Sequence, residues 1–487
     1  MKIGIITFHF VSNQGAVLQC FALQNFLEKN GHEVSIIDYR PLYHTVRYDN
    51  FRNPFRYSIW FWKRTSKKKN FLRLYGTILA FARSTVANIT QPDRAVNASF
   101  DKFVKKHLHL TKKYKSIEEL QTDPPKLDAY ISGSDQLWNP ELLDQAYDPA
   151  YFLNFGDKGI PRITYAVSMG IVQESKELKI LKDYCRSLTA VSLREYDKEV
   201  IEAVGRDVHI CIDPALLLDA SDYAELECQN AESRPYIFVY GFENSDSLHK
   251  AVEIAKEKYQ CRVINGSPHR ITLEESDNLR DYGPDMFLSL IKDAQCVVTN
   301  SFHGTVFSII YKKEFITVVH STRGGRMTSL LYHLKLTRRL WGSTDFDFSG
   351  DLDFISVNDR LNELRKYSVD YLFKALDGKK GESIPHMPEE YVIPQVNFST
   401  TKESTRYHNR ELDKSGKELP ELFTDKTNCC GCTACFATCP VEAITMEPDS
   451  EGFLYPTIDA VKCIRCYRCL SVCAFKVDQE AKEYYQR

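Results

Sequence analysis

The sequence lacks the charge excess of a dedicated nucleic-acid-binding protein. Its 487 residues carry 63 Lys and Arg against 65 Asp and Glu, which gives a net charge of −2. Proteins that bind nucleic acid through its phosphates usually carry a basic excess, so we expect no nucleic-acid partner. A hydrophobic content of 43% and a charged content of 26% exclude a largely disordered chain. The length predicts about three soluble domains.

The sequence also lacks a recognisable signal peptide and a membrane span. The apolar start at 1–8 runs directly into polar His9, Ser12 and Asn13, without a cleavage pattern. The longest uncharged stretch of the second half, 294–311, is interrupted by polar residues. We therefore predict a cytoplasmic protein whose cysteines stay reduced.

Alternating strands and helices predict an α/β fold with two Rossmann-like halves. A strand at 2–8, an amphipathic helix and a second short strand form a βαβ unit, which implies a parallel sheet. A new series of strands begins after Pro235, and 358–376 reads as a closing helix. We place the halves at 1–215 and 230–377, facing each other across a cleft. The predicted strands are 2–8, 34–37, 129–132, 163–167, 190–193, 208–212, 236–240, 261–264, 296–299 and 315–319.

Residues 40–75 form a basic and aromatic insertion in the first half. Ten basic residues and one acidic residue fall in this range, with aromatic residues interleaved. One interpretation is a solvated insertion whose aromatic side chains pack on the domain. The other is peripheral contact with the inner face of the membrane, with aromatic rings at headgroup depth and Lys and Arg against anionic lipid.

The cysteines are concentrated at the end of the chain, after a linker at 378–427. Nine of the 15 lie in 429–473, and eight of these form the spacing C-x2-C-x2-C-x3-C twice. An iron–sulfur cube needs four thiolates, and in this spacing the fourth cysteine of each run reaches the cluster of the other run. A pair of zinc sites, the alternative, does not need the duplicated spacing. We predict one 4Fe-4S cluster on Cys429, Cys432, Cys435 and Cys473, and a second on Cys463, Cys466, Cys469 and Cys439.

This tail, 428–475, resembles bacterial two-cluster ferredoxins along its whole length. The resemblance includes Gly431 and the run 440–444. Ala474 stands where a proline is usual, and Cys430 is an extra thiol that we leave out of both ligand sets.

A second candidate site follows the predicted strand 296–299, in the run 299–305. In an open parallel sheet, ligands bind beyond the carboxyl ends of the strands. A helix that begins near Gly304 would offer free backbone N–H groups to an anion there. His303 could bind or protonate such a ligand. The alternative is a helix cap with a histidine that is satisfied locally.

Arginines follow two other predicted strands. Arg194 comes directly after 190–193, and Arg323 and Arg326 come after 315–319. Taken alone, each arginine would more often form a surface ion pair than bind a ligand. Three arginines and a histidine together predict a pocket for a doubly anionic small molecule, because guanidinium groups match carboxylate and phosphate.

Several short motifs occur in order along the first part of the chain. They are Asn13-x-Gly15-Ala16-x-Leu18-Gln19, Gly133-Ser134-Asp135-Gln136-x-Trp138-Asn139, Ser192-Leu193-Arg194-Glu195, Asp213-Pro214 and Ser301-Phe302-His303-Gly304. With this order and spacing, the chain from its start to about 340 resembles the polysaccharide pyruvyl transferase family. The resemblance implies a fold of the GT-B type and phosphoenolpyruvate as donor. It also implies a sugar acceptor, in a surface-polysaccharide precursor that can be lipid-linked.

The resemblance further implies roles for single residues. His303 would bind the donor and act as general acid, while Arg194 and Arg323 would hold its carboxylate and phosphate. Asp135 is our candidate for activating the sugar hydroxyl, with a turn residue as the alternative. The other implied donor-binding residues are Ser301, Gly304 and Arg326, and the implied acceptor-binding residues are Asn13 and Gly15.

Two other functions stay open at this stage. Ketal formation is redox-neutral, so it does not require iron–sulfur clusters. The chain could instead be an electron-transfer protein whose α/β body docks a redox partner. It could also be a glycosyltransferase of the GT-B type that uses a nucleotide sugar.

Overall fold

The computed structural model divides the chain into two compact units, 1–398 and 399–487. It describes residues 1–48, 94–143, 146–170, 175–229, 234–268, 271–319, 325–378 and 386–388, separate residues within 55–85, and separate residues and short pieces of the tail within 420–469.

The strands and helices of the described residues alternate through the first unit. The strands are β1 Lys2–Ile6, β2 Glu33–Ile36, β3 Ala129–Ser132, β4 Arg162–Thr164, β5 Ser192–Leu193, β6 His209–Ile210, β7 Tyr236–Tyr240, β8 Arg262–Asn265, β9 Ser276–Asn278, β10 Cys296–Thr299, β11 Glu314–Val318, β12 Leu340–Trp341, β13 Ile444–Pro448 and β14 Leu454–Ile458. The α-helices are α1 Gln14–Lys29, α2 Leu42–Tyr48, α3 Arg94–His107, α4 Ile117–Thr122, α5 Ser175–Tyr184, α6 Lys198–Val204, α7 Ala220–Tyr223, α8 Asp246–Tyr259, α9 Pro284–Asp293, α10 Phe302–Ile310, α11 Gly325–His333 and α12 Phe354–Asp377. Short 3-10 helices occur at Pro149–Phe152, Cys185–Ser187, Pro214–Leu217 and Thr337–Arg339.

The first half is built on a parallel sheet in the order β2-β1-β3-β4. Single bridges connect this sheet to the parallel pair β5-β6. Helix α1 packs on the sheet because its apolar residues recur at helical spacing, and Cys20, Leu23 and Leu27 are fully buried. The helix ends at Lys29, and Gly31 takes a positive φ of 83° that suits glycine at a helix end.

The second half is a six-stranded parallel sheet in the order β12-β11-β10-β7-β8-β9. Its central strands β7 and β10 are buried along their whole length. Such continuous apolar strands are expected where helices cover both faces of a parallel sheet.

Helix α12 closes the unit by returning to the first half. The Ser368 hydroxyl accepts a hydrogen bond from the backbone N–H of Ile212 at 3.0 Å, and the Tyr371 hydroxyl donates to the backbone carbonyl of Thr164 at 2.8 Å. The predicted fold class, an α/β fold with two Rossmann-like halves and a closing helix, is confirmed.

Strand ends differ slightly from the sequence prediction. The strands at 129–132, 236–240 and 296–299 match at both ends, while the other predicted strands are shorter by two or three residues or shifted by one. Strands β9 and β12 were not predicted, because β9 is polar and largely exposed and β12 has only two residues.

The basic insertion at 40–75 lies largely outside the described residues. Three of its Phe, Tyr and Trp side chains are described. The Phe55 side chain is 70% exposed and that of Trp62 is 36% exposed, while Tyr43 is partly buried and its hydroxyl donates a hydrogen bond to Asp148. Both interpretations of the insertion therefore stay predictions. In the part of the chain that the structure describes, no helix combines the length and the apolar character needed to cross a membrane.

In the second unit, β13 and β14 form an antiparallel hairpin in which Ile444 pairs with Ile458. A small apolar cluster forms around Leu422, Ile444 and Cys469.

Candidate active site

The site lies at the carboxyl ends of β5 and β6 in the first half and of β10 in the second half. Arg194 follows β5 directly, and Asp213 follows β6 and caps the 3-10 helix Pro214–Leu217. His303 lies in the first turn of α10, just beyond β10. The carboxyl ends of parallel strands point to one edge of a sheet, so each half brings its polar residues toward the other.

A buried carboxylate, that of Asp213, is the common partner of these residues. It is fully buried, and its Oδ2 accepts hydrogen bonds from Arg194 Nη1 at 2.7 Å and from the Ser134 hydroxyl at 3.1 Å. His303 Nε2 lies 3.6 Å from the same oxygen. One negative charge from the first half therefore faces a guanidinium of that half and an imidazole of the second.

The mutual charges shift the pKa values of this cluster. Burial alone would raise the pKa of Asp213, but His303 and Arg194 hold the pKa of that carboxyl well below its usual range. Burial alone would lower the pKa of Arg194, but the negative charges of Asp213, Glu195 and Asp135 raise it above its ordinary value. Asp213 and Arg194 are therefore both ionised at neutral pH.

One edge of the Arg194 guanidinium has no hydrogen-bond partner. The side chain is 2% exposed, and its Nε and Nη2 find no acceptor among the described residues. Glu195 Oε2 is the nearest recorded charge, at 3.7 Å from Nε, which is beyond hydrogen-bonding distance. Buried donors are rarely left unpaired. An edge of a guanidinium group with two free N–H donors can bind a carboxylate or phosphate through two parallel hydrogen bonds. His303 Nε2 is likewise buried without a hydrogen-bond partner.

The positive ends of two helices meet at His303. Helix α1 begins at Gln14 with the Asn13 side chain as its N-cap, and α10 begins at Phe302 with the Ser301 side chain as its N-cap. Neither helix has an acidic residue in its first turn that would neutralise the helix dipole. The helix that the sequence predicts near Gly304 thus starts two residues earlier, which places His303 inside its first turn.

Glycine is required where α1 approaches His303. A Cβ atom on Gly15 would lie 2.0 Å from His303 Nδ1 and 2.2 Å from its Cγ. Next to it, Gln14 Oε1 accepts a hydrogen bond from the Tyr240 hydroxyl of the second half at 2.8 Å. The N-terminus of α1 is therefore part of the contact between the halves. A role of Asn13 and Gly15 in acceptor binding stays a prediction.

Gly304 and Arg326 also lie at the site. A Cβ atom on Gly304 would lie 2.3 Å from Thr299 Oγ1, so glycine lets α10 pack against the end of β10. Arg194 Cζ lies 4.6 Å from the centre of the Phe302 ring, and Arg326 Cζ lies 5.6 Å from it. Cation–π contact with one ring thus brings both guanidinium groups together. Arg323 falls outside the described residues.

Asp135 occupies a tight turn near this cluster. Its φ is 84°, in the left-handed region where Asp is tolerated better than most residues, and its Oδ1 accepts a hydrogen bond from the Gln136 N–H at 2.8 Å. Its charge acts on Arg194 strongly enough to raise the pKa of that residue. Asp135 is therefore a turn residue whose charge also acts on Arg194 of the site.

Sequence reasoning did not assign roles to Ser134, Glu195 and Asp213, although all three stand in the quoted motifs. The available signal was an Asp-Pro pair directly after a strand, which is typical of a capped helical turn. The partners that Asp213 meets are far away in sequence, so that signal alone could not identify them.

The described part of the tail fits cluster-binding cysteines. Cys439 Sγ accepts a hydrogen bond from the Ala443 N–H at 3.3 Å, and Cys463 Sγ accepts one from the Arg465 N–H at 3.4 Å. Such N–H···S bonds stabilise a thiolate ligand. The other described cysteines of the tail, Cys429, Cys435 and Cys469, are free of disulfides like these two. Cys432, Cys466 and Cys473 fall outside the described residues.

Two family models match the chain. The model described as polysaccharide pyruvyl transferase matches 13–322, and the model described as 4Fe-4S dicluster domain matches 428–477. The two matches confirm the predicted fusion and the iron–sulfur tail.

Several solved structures are similar to the chain in backbone arrangement. S. aureus MnaA with UDP has 9% sequence identity and a TM-score of 0.40, and the match covers 80% of this chain and 100% of that one. UDP-GlcNAc 2-epimerase from Methanocaldococcus jannaschii has 11% identity and a TM-score of 0.37, over 83% of this chain and 98% of that one. An alpha-glucosyltransferase in complex with UDP and a 13-mer DNA has 10% identity and a TM-score of 0.37, over 78% and 93%. None of the curated proteins compared with the chain matches it in sequence.

Proposed function

Because the chain belongs to the polysaccharide pyruvyl transferase family, we propose that it transfers the pyruvyl group of phosphoenolpyruvate to a sugar as a ketal. The acceptor is a surface-polysaccharide precursor, carried on a lipid. The observation that supports the proposal best is the unpaired edge of Arg194 beside His303, in a site where the positive ends of two helices meet.

Phosphoenolpyruvate matches the charges of this site. In the proposed complex, the free Nε and Nη2 edge of Arg194 binds one anionic group of the donor with two hydrogen bonds. Arg326, with Arg323 on the segment before it, holds the other anionic group. The first turn of α10, capped by Ser301 and packed against the end of β10 at Gly304, contributes the positive end of its dipole.

The proposed reaction needs an acid and a base but no redox step. His303 protonates the methylene carbon of the donor, which leaves a cation-like centre at C2. One sugar hydroxyl attacks this centre, phosphate leaves, and a second hydroxyl closes the ketal ring. Of the two hydroxyl protons, one replaces the proton that His303 delivered to the new methyl group, and the other leaves with phosphate. Asp135 is the candidate for accepting a hydroxyl proton, and Asn13 and Gly15 are the candidates for binding the acceptor.

Anaerobic calorimetry of the cluster-loaded protein with phosphoenolpyruvate tests this proposal. We expect saturable binding that is lost in His303→Ala and in Arg194→Ala, and unchanged in His109→Ala, whose exposed imidazole faces Glu28 in the last turn of α1, at the end of that helix opposite to Gly15. Nucleotide sugars form the comparison panel. Binding of a nucleotide sugar in place of phosphoenolpyruvate would refute the donor assignment. Donor binding that survives both site substitutions would refute the residue assignment.

We further propose that the tail serves a separate redox partner. Its clusters supply one-electron transfer, which ketal formation does not use. Reduction of the clusters should therefore leave pyruvyl transfer unchanged while it speeds electron delivery to a partner protein. A transfer rate that follows the redox state of the clusters would contradict this separation.

We also propose that the protein is cytoplasmic and contacts the inner face of the membrane through 40–75, where a lipid-linked acceptor would be met. The excess of nine positive charges in this segment, ten basic residues against one acidic, supports attraction to anionic lipid. Deletion of the segment should reduce co-sedimentation with anionic vesicles and leave phosphoenolpyruvate binding intact. Equal co-sedimentation of the two proteins would refute the contact.

A further inference from the structure

Three side chains of types that commonly bind metal ions lie together at the edge of the first half opposite the active site. Asp207 and His209 lie at the amino-terminal end of β6, whereas Asp213 follows its carboxyl end. His386 comes from the short piece 386–388 that follows the closing helix. One possible ligand atom from each of the three residues lies within 4.8 Å of the other two.

The distances in this cluster suit a tetrahedral metal ion. Asp207 Oδ2 lies 3.4 Å from His209 Nε2, and Asp207 Oδ1 lies 3.1 Å from His386 Nε2. Zinc bonds to nitrogen and oxygen are roughly 2.0–2.2 Å long, so neighbouring tetrahedral ligands lie about 3.3 Å apart. Each imidazole Nε2 therefore lies at about this spacing from one oxygen of the Asp207 carboxylate, a different oxygen for each ring.

The ring of His209 is fixed in place and lacks a good hydrogen bond. The residue is 4% exposed, and its ring packs against the Tyr371 ring at 5.0 Å and the His386 ring at 4.1 Å. Its Nε2 is aimed at Asp207 at a distance longer than a normal N–H···O bond. Its Nδ1 is buried with no hydrogen-bond partner among the described residues. Nε2, which faces Asp207 without a hydrogen bond of normal length, is therefore the ring atom available to bind a metal ion on the side of Asp207.

We propose that Asp207, His209 and His386 bind a divalent transition-metal ion, of which zinc best fits two imidazoles and a carboxylate. Water completes the coordination. The two imidazole rings are nearly parallel, at 12°, so the metal cannot lie in the plane of both as they stand. His386 is the ring that turns out of the stack, because its side chain is 53% exposed while that of His209 is 5% exposed.

A bound metal ion would attach the chain segment after α12 to the first half. His386 precedes Met387, which is buried against the core of the unit, and both follow α12 in the chain. Asp207 and His209 belong to the first half. A bound ion would therefore tie the chain beyond α12 to the first half by coordination bonds in addition to apolar packing. The role is structural and independent of the proposed transfer reaction.

Calorimetric titration with zinc chloride tests the site in the full chain with both iron–sulfur clusters assembled. His386→Ala and Asp207→Asn remove ligands from exposed side chains, so both variants should fold. His109→Ala is the matched control, because its side chain is 66% exposed and also faces a carboxylate, that of Glu28. Iron content is measured in each protein to show that the clusters are intact. Zinc binding by the cysteines of the tail is then the same in all samples.

We expect a saturable zinc site that is weakened at least tenfold in both ligand variants and unchanged in His109→Ala. Zinc should also raise the Tm of the parent and the control more than that of the ligand variants. Equal zinc binding in all four proteins would overturn the proposal, because the ion would then bind elsewhere. Absence of saturable binding in the parent would overturn it as well, and Asp207 would then only bridge two imidazoles.

Discussion

Replacement of Gly15 by alanine tests how the two halves build the site. Alanine on a helix usually stabilises by about 0.5–1 kcal/mol relative to glycine, so α1 itself should tolerate the change. The added Cβ would lie 2.0 Å from His303 Nδ1, whereas ordinary contact begins at 3.4 Å. The imidazole or the helix must therefore move by 3.4 − 2.0 = 1.4 Å.

A movement of this size should affect function more than stability. Overpacking costs about 1–3 kcal/mol, which the gain in helix propensity partly offsets. A misplacement of about 1 Å at a catalytic group can reduce the rate by about 100-fold, equivalent to about 2.7 kcal/mol. We expect Gly15→Ala to lower kcat/KM for pyruvyl transfer by about that factor, while the free energy of unfolding changes by less than about 3 kcal/mol.

A double-mutant cycle shows whether the loss acts through His303. Transfer kinetics and denaturant unfolding are measured for the parent, Gly15→Ala, His303→Ala and the double variant. Once the imidazole is absent, the added methyl group should have little further effect. Gly159→Ala is the control, because its Cβ would meet the nearest atom at an ordinary 3.4 Å. An equal loss from Gly15→Ala in both backgrounds would refute the reasoning.

Three other predictions follow from the site and the tail. Asp213→Asn should destabilise the fold by about 3–5 kcal/mol in denaturant unfolding, because Arg194 is left buried without its charge partner. The pKa of Asp213 in the folded protein lies below its ordinary value of 3.8, so its ion pair stabilises the fold above pH 3.8 and is lost as the pH falls through the folded pKa. The parent should therefore lose more stability below pH 3.8 than the variant. Equal loss of stability in acid would contradict the assignment. Arg194→Lys keeps the charge but loses the two-pronged edge, so phosphoenolpyruvate should bind at least about tenfold more weakly by calorimetry; unchanged affinity would show that the edge does not contact the donor. Cys435→Ala should lower the iron content of the purified protein and Cys430→Ala should not, and the reverse result would overturn the ligand assignment of the tail.

The central strands could be predicted because burial leaves a direct mark on their sequence. The runs 236–240 and 296–299 are apolar or uncharged throughout, and the structure buries every residue of both. Strand β9 carries Ser276, Asp277 and Asn278, which have no strand signature, and it forms because β8 offers its free edge. Its hydrogen bonds with that neighbour, rather than its own composition, determine its conformation.

The members of the site could be predicted better than their arrangement. Arg194 and His303 were identified because each follows a strand, and that position depends only on local pattern. The shared carboxylate of Asp213 depends on how the two halves pack, which periodicity does not encode. The same holds for the contact between Gly15 and His303, which joins residues 288 positions apart. Only the packing of the halves shows that this glycine has a steric role.

The return of α12 to the first half has a consequence for synthesis on the ribosome. Ile212 and Thr164 find their hydrogen-bond partners on α12 only after residue 371 has been made. After Asp213, a further 377 − 213 = 164 residues must be made to reach the end of this helix at Asp377. At roughly 5–20 residues per second, synthesis of this stretch takes about 8–33 seconds, and α12 can pack on the nascent first half only after that time. During that interval, the surface that α12 will cover is exposed to chaperones and to neighbouring nascent chains.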